Sequence, residues 1–275
     1  MSTAENTTEF ALESGGTTLR GDDAGSGPAV VLLHGLTATR RYVVMGSHQL
    51  PRSGYRTVAY DARGHGESEP APSPAAYEYS DLAADLGALL DEFDLKRATL
   101  AGASMGAHTA LAFALAHPER VDALVLITPA YDGSGREGDL DAWDALADGL
   151  ERGGVQGFID AWQPKVDPRW LDTALLVARQ RLERHRHPQA VADALRVVPR
   201  SRPFESLSDL EALDVPVLVV GDRDEPDPAH PLAVAQEYAR RLPRAELLVE
   251  DEGKSPIAWQ GAQLSRAIAE FVERA

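Results

Sequence analysis

Leu100-Ala101-Gly102-Ala103-Ser104-Met105-Gly106-Ala107 is the stretch on which the reading of this chain turns. Apolar Ala98 to Ala101 predicts a short buried strand. Met105 to Ala116 predicts a helix, stopped by His117-Pro118. Ser104 therefore falls on a sharp strand-to-helix turn, which lifts a serine hydroxyl above the sheet. Glycines at 102 and 106 let strand and helix approach closely, and the helix N-terminus behind Ser104 favours developing negative charge. The five-letter pattern G-x-S-x-G gains its specificity from this context.

Outward from the turn, the same alternation continues. Ala29 to Leu33 and Val121 to Ile127 are continuous apolar runs, as strands buried on both faces require, and Val58 to Tyr60 is a shorter one. Ser80 is a good N-cap for a helix through Phe93, with Leu82, Leu86, Leu89, Leu90 and Phe93 on one face. Phe10 to Leu12 and Thr17 to Arg20 flank Ser14-Gly15-Gly16 as a hairpin, and residues 1–8 are polar. Strand then helix, repeated, implies a parallel sheet with helices on both faces.

Residues 131–205 break the pattern. They hold amphipathic helical stretches near 139–151, 155–162, 168–184 and 188–197, punctuated by Gly153-Gly154, Pro164, Pro168 and Pro188. The alternation resumes with a strand at Val215 to Val220, a helix at Pro231 to Leu242, a strand at Glu246 to Val249 and a helix at Pro256 to Val272. The expected fold is α/β, a mostly parallel, doubly wound sheet of the eight-stranded type. Its core is residues 1–130 and 206–275, with a helical cap at 131–205.

With 275 residues and 44% hydrophobic content the chain can bury a large core. A net charge of −16 argues against nucleic acid and anionic membranes as partners. Of 27 basic residues, only Lys96, Lys165 and Lys254 are lysines. There is no cysteine, which removes disulfides and thiolate chemistry. No leader-like segment and no apolar run near 18 residues occurs, so a cytoplasmic protein, monomer or homodimer, is expected.

Four landmarks occur in order: His34-Gly35-Leu36 after the first buried strand, Asp61-Ala62-Arg63-Gly64-His65-Gly66-Glu67-Ser68 after the second, the Ser104 turn, and Gly221-Asp222-Arg223-Asp224. Together they resemble the α/β-hydrolase superfamily over residues 25–275. The resemblance implies Ser104 as nucleophile, the backbone N–H groups of Leu36 and Met105 as oxyanion donors, and Asp224 as the acid, with Asp222 the weaker candidate. It assigns His34, His65 and Arg63 to loop structure. No cofactor and no metal is implied. His185-Arg186-His187 lacks a third ligand, and the acidic cluster Asp222, Asp224, Glu225 and Asp227 lacks the glycine and glutamate of a calcium loop.

The departure is at the base. The family's histidine follows the last strand, and here Gly253 is followed by Lys254. Serine needs a base within hydrogen-bond reach and an acid to orient it. Four readings stand. Lys254 could serve if its amine were neutral, which a neighbouring carboxylate opposes. Another histidine could have moved in: His230, His108, His185 or His187. The triad could be broken, leaving a catalytically quiet small-molecule-binding protein. Lastly, position 254 could be a substitution, or the register of the resemblance could slip. No histidine follows His230, so a slip cannot restore the usual order.

Within the insertion, Trp143, Phe158, Trp162, Trp170 and Leu175 are apolar anchors, and Trp259 follows Lys254 closely. Trp143, Phe158, Trp162 and Trp259 are the candidate pocket residues. A mainly apolar pocket fits an apolar acyl or aryl ester, thioester or lactone.

Overall fold

The computed structural model describes residues 7–133, 140–162 and 166–275. The expected polar opening at 1–8 lies mostly outside the described residues, as do residue 139 of the first insertion helix, the Pro164 break and Lys165. Among the described residues no helix is long and apolar enough to cross a membrane.

Eight strands form one sheet: β1 (Thr7–Ser14), β2 (Thr17–Gly25), β3 (Ala29–Leu33), β4 (Arg56–Asp61), β5 (Ala98–Ala103), β6 (Val121–Ile127), β7 (Val217–Gly221) and β8 (Ala245–Val249). Their order is β1-β2-β4-β3-β5-β6-β7-β8. The hairpin β1–β2 and the β2–β4 pair are antiparallel, and the other pairs are parallel. The helices are α1 (Gln49–Arg52), α2 (Tyr79–Glu92), α3 (Met105–Ala116), α4 (Leu140–Ala161), α5 (Pro168–Leu182), α6 (Pro188–Val197), α7 (Leu232–Arg241) and α8 (Gly261–Arg274).

Side chains alternate across the strands, so each apolar run feeds two cores. Val31 and Leu33 join Leu86, Leu89, Leu111, Val234 and Tyr238 on one face. Val30 and Leu32 join Leu50, Leu264, Ile268 and Phe271 on the other. This double burial is why the central strands are apolar throughout. The helix expected to start after Ser80 starts two residues earlier. Asp81 accepts the Glu78 N–H at 3.0 Å, and the buried Tyr79 begins the helix.

Helices α4, α5 and α6 lie between β6 and β7 in the chain. The α4 helix kinks at Gly154, where φ is 58° and ψ is −147°. Phe158, Leu150, Leu182, Val191 and Leu195 form their shared core, against which Trp143, Trp162 and Leu36 pack. His185 ties this unit down: its Nε2–H donates to the Thr37 carbonyl at 3.0 Å, and its Nδ1 accepts the Gly66 N–H at 2.9 Å. Burial pushes its pKa down to about 4, so the ring is neutral in this role.

The loop after β4 is held by buried charge. Arg63 donates through Nε and Nη2 to the two oxygens of Asp85, both at 2.8 Å, and through Nη1 to the Ala76 carbonyl at 2.9 Å. Ser14 donates to the same carboxylate at 2.6 Å. Removing one partner of such a pair leaves an uncompensated buried charge. Asp85→Ala is expected to lower stability by about 3–5 kcal/mol, measured by urea unfolding. A change under 1 kcal/mol would show that water already reaches Arg63.

Candidate active site

Close backbone contact builds the turn at Ser104. A Cβ on Gly102 would lie 2.2 Å from the Gly106 carbonyl oxygen, and one on Gly106 would lie 2.2 Å from that of Leu33. Only glycine allows β3, β5 and α3 to converge so tightly. Ser104 itself takes φ 51° and ψ −111°, a conformation that costs an L-residue roughly 1–3 kcal/mol. Its N–H donates to the Ile127 carbonyl at 2.9 Å, and its carbonyl accepts the His108 N–H at 3.1 Å, so both flanking elements hold the strain.

The side chain is partly exposed rather than sealed in the core. Its Oγ lies 2.9 Å from His230 Nε2. His230 Nδ1 lies 2.8 Å from Asp227 Oδ2. Serine, imidazole and carboxylate thus form an unbroken chain of hydrogen bonds.

Base and acid come from one tight turn. In Asp227-Pro228-Ala229-His230 the His230 N–H donates to the Asp227 carbonyl at 3.2 Å. Pro228 presets the turn, and Asp is favoured at its first position. The first and fourth side chains leave on the same side, which brings imidazole to carboxylate. Burial alone would pull the His230 pKa down, but the charge and hydrogen bond of Asp227 outweigh it and raise the pKa. Burial acts to raise the Asp227 pKa, yet His230, Arg181 and the Ala229 N–H together lower it. Asp227 thus favours its carboxylate form, and the imidazole beside it is more basic than usual.

The expected acid and base positions lie apart from this chain of bonds. Asp224 is exposed, and its Oδ1 accepts the Leu232 N–H at 2.8 Å, so it caps the start of α7 instead of orienting a base. Lys254 is exposed on the turn after β8, its N–H donating to the Asp251 carbonyl at 3.0 Å. A strongly hydrated ammonium on a long stem favours solvent there. His230, one of the alternatives, is the histidine that reaches Ser104. The others are committed elsewhere. His108 Nε2 accepts the N–H groups of Ala130 and Tyr131, both at 3.2 Å, and His187 pairs with Glu69 at 3.1 Å. His34 Nε2 accepts the Ala62 N–H at 2.9 Å.

Asp227 was readable only as one of four acids in a cluster. The signal that singles it out is D-P-x-H, a turn whose ends carry an acid and an imidazole. Asp222 is fully buried, accepts the Ala258 N–H at 3.3 Å through Oδ1, and leaves Oδ2 without a partner. Burial, then the nearby Asp227 and Glu250, push its pKa up to about 8. It is an uncharged acid at neutral pH.

The N–H groups of Leu36 and Met105 donate no hydrogen bond among the described residues. Gly35 brings the Leu36 turn against the serine: a Cβ there would lie 3.4 Å from Ser104 Cβ. Trp143 and Trp162 are partly buried around Phe158, beside Leu36. Trp259 stands apart from them, edge-on to Trp170 at 6.0 Å. An open groove of about 630 Å³ beside Arg41, Tyr42 and Arg184 includes none of the three hydrogen-bonded residues. Among the described residues no cluster of three or more His, Cys, Asp or Glu could hold a metal ion.

A strand-to-helix serine turn on a mostly parallel eight-stranded sheet matches the family model described as alpha/beta hydrolase fold over residues 28–262, and the chain belongs to that family. It is 30% identical, over 89% of its length and 90% of the relative's, to a Bacillus subtilis protein provisionally assigned as a 2-succinyl-6-hydroxy-2,4-cyclohexadiene-1-carboxylate synthase. Among solved structures it is similar to a thermophilic esterase from Thermogutta terrifontis, with a TM-score of 0.81 and 24% identity over 97% of this chain and 98% of that one. An enol-lactonase from Burkholderia xenovorans LB400 aligns with a TM-score of 0.79 and 23% identity, over 96% and 100% of the two chains.

The uncharged state of Asp222 has a thermodynamic consequence. Its folded pKa of about 8 lies above its unfolded value, so its contribution to stability is fully present below about pH 4 and is lost as pH rises towards 8. Asp222→Asn, a mimic of the uncharged acid, is expected to be more stable than the parent at pH 8 and to lose that advantage at pH 4. Urea midpoints at the two pH values measure it; equal differences at both would show that Asp222 ionises normally.

Proposed function

We propose that this chain is a serine hydrolase that cleaves carboxylic esters, thioesters or lactones through Ser104, with His230 as general base and Asp227 as its orienting acid. The observation that carries the proposal is the pair of hydrogen bonds at 2.9 and 2.8 Å linking the three side chains. The triad is atypical in the origin of its members, since base and acid share one turn, but it is complete in chemistry.

Neutral His230 accepts the Ser104 proton at Nε2 as Oγ attacks the acyl carbon. Asp227 holds Nδ1–H and stabilises the imidazolium that forms. The resulting oxyanion faces the N–H groups of Leu36 and Met105, each such donor being worth about 3 kcal/mol of barrier. Collapse breaks the bond to the leaving group, which takes the proton from His230. Water then attacks the acyl carbon as it gives a proton to His230, and the second intermediate collapses, breaking the bond to Ser104 Oγ, which takes that proton back as the acid leaves. Helices α4 to α6, residues 131–205 with their flanks, act as a cap. Trp143, Phe158 and Trp162, packed beside Leu36, supply the apolar wall for the acyl group. The esterase and enol-lactonase among the similar structures lend this reaction class support.

The proposal is tested with a fluorophosphonate label and p-nitrophenyl acetate. Ser104→Ala should abolish labelling and turnover, and His230→Ala and Asp227→Asn should each lower kcat about 10³- to 10⁴-fold. Lys254→Ala should remain within a few-fold of the parent. Activity should rise with pH through a value above 6.5, because the raised pKa of His230 must be exceeded to free its base form. Loss of activity in Lys254→Ala with retention in His230→Ala would transfer the base to the lysine. A folded parent that neither labels nor turns over would make the chain a binding protein.

A further inference from the structure

Helix α5 lies over the loop that carries the base and acid. Before it, the Asp167 N–H donates to the Glu225 carbonyl at 2.9 Å. At its first turn Trp170 meets Trp259, and beyond its last turn His185 is bound to Thr37 and Gly66. The face of α5 turned to the protein carries Ala174, Ala178 and Leu182, all buried. Arg181 follows Ala178 by three residues and so projects from that same face.

Arg181 is the one arginine among the described residues whose Nε is both shut off from solvent and without a hydrogen-bond partner. Its guanidinium makes no ion pair among the described residues either. It is nonetheless close enough to Asp227 and His230 for its charge to act on both. The other ionisable groups within its electrostatic reach are Tyr42 and His185. Asp227 is already committed to His230. Arg40, Arg56, Arg63, Arg97, Arg120 and Arg196 each reach a carboxylate. The residue is half-buried, and a buried donor such as its Nε left unpaired calls for a ligand or a function. A planar fork of donors suits a carboxylate above other anions of that size.

We infer that Arg181 is a binding residue for a carboxylate on the substrate, so that the compound cleaved at Ser104 is an acyl ester or lactone that also bears a free carboxylate. This rests on the hydrolase reading and narrows its substrate class. The apolar wall holds the carbon skeleton, and the guanidinium selects the acid. A protein of net charge −16 repels anions at long range, so a half-buried, local cation is what recognition of an anionic substrate requires here.

Two measurements test it. In the first, kcat/KM is compared for mono-p-nitrophenyl glutarate and p-nitrophenyl pentanoate, which share an acyl length and differ in the terminal carboxylate. The parent should prefer the glutarate, and Arg181→Gln should reduce that preference at least 10-fold, chiefly through KM, with Arg181→Lys between them. An equal loss on both esters would overturn the inference and make Arg181 a support for Asp227. In the second, calorimetry on Ser104→Ala measures binding of monomethyl glutarate against dimethyl glutarate. Selective binding of the acid, lost in Ser104→Ala/Arg181→Gln, supports the site even if no ester is turned over, in which case only the hydrolase reading fails. Equal binding of acid and diester overturns the site whatever the kinetics.

Discussion

The convergence of three backbones at residues 33, 102 and 106 is the constraint on which this protein rests. Carbonyl oxygens of Leu33 and Gly106 occupy the volumes that side chains at 106 and 102 would need. That proximity forces Ser104 into a left-handed backbone conformation, and the hydroxyl rises from the sheet as a result. The same geometry leaves the N–H of Met105 at the open end of α3 and brings the Leu36 turn alongside. The raised hydroxyl, the strain and the two neighbouring amides are therefore one feature of packing. They could not be altered singly without moving β3, β5 or α3.

Electrostatics then sorts the acids around this point. Asp222, Asp227 and Glu250 crowd the ends of β7 and β8, and they cannot all be charged at little cost. Asp227 keeps its charge because His230 faces it. Glu250 accepts the N–H of Arg223 at 2.7 Å and of Ile257 at 3.3 Å, tying the two loops together. Asp222 has one weak donor and gives up its charge. A single ionised carboxylate is thus left against the imidazole, which is the arrangement a base in this position needs.

Much of the architecture was legible because burial on both faces leaves an unambiguous mark. Ala29 to Leu33, Met105 to Ala116 and Val121 to Ile127 coincide with β3, α3 and β6 to the residue. The α2 start was less legible, since Ser80 is a better cap by type than Glu78, and the packing of Tyr79 decided it. The site was half legible. Ser104 follows from local pattern alone. The Asp227–His230 pairing does not, because spacing from Gly221 points to Asp224, whereas the carboxylate that meets an imidazole is set by where the imidazole sits. His230 could be named only among alternatives, as which of several histidines reaches a given hydroxyl is a question of tertiary distance. Arg181 carried no mark at all: an arginine on an amphipathic helix reads as solvated surface until its neighbours are known.

Asp227 and His230 stand three residues apart on a proline-bound turn, so this hydrogen-bonded pair is a rigid cassette carried by a single loop. In an arrangement where base and acid sit on separate loops, any relative drift of those loops detunes the hydrogen bond between them. Here both partners shift as one body, and their mutual alignment survives breathing of the sheet edge. The turn after β8 carries neither partner of this pair, and Lys254 on it faces solvent.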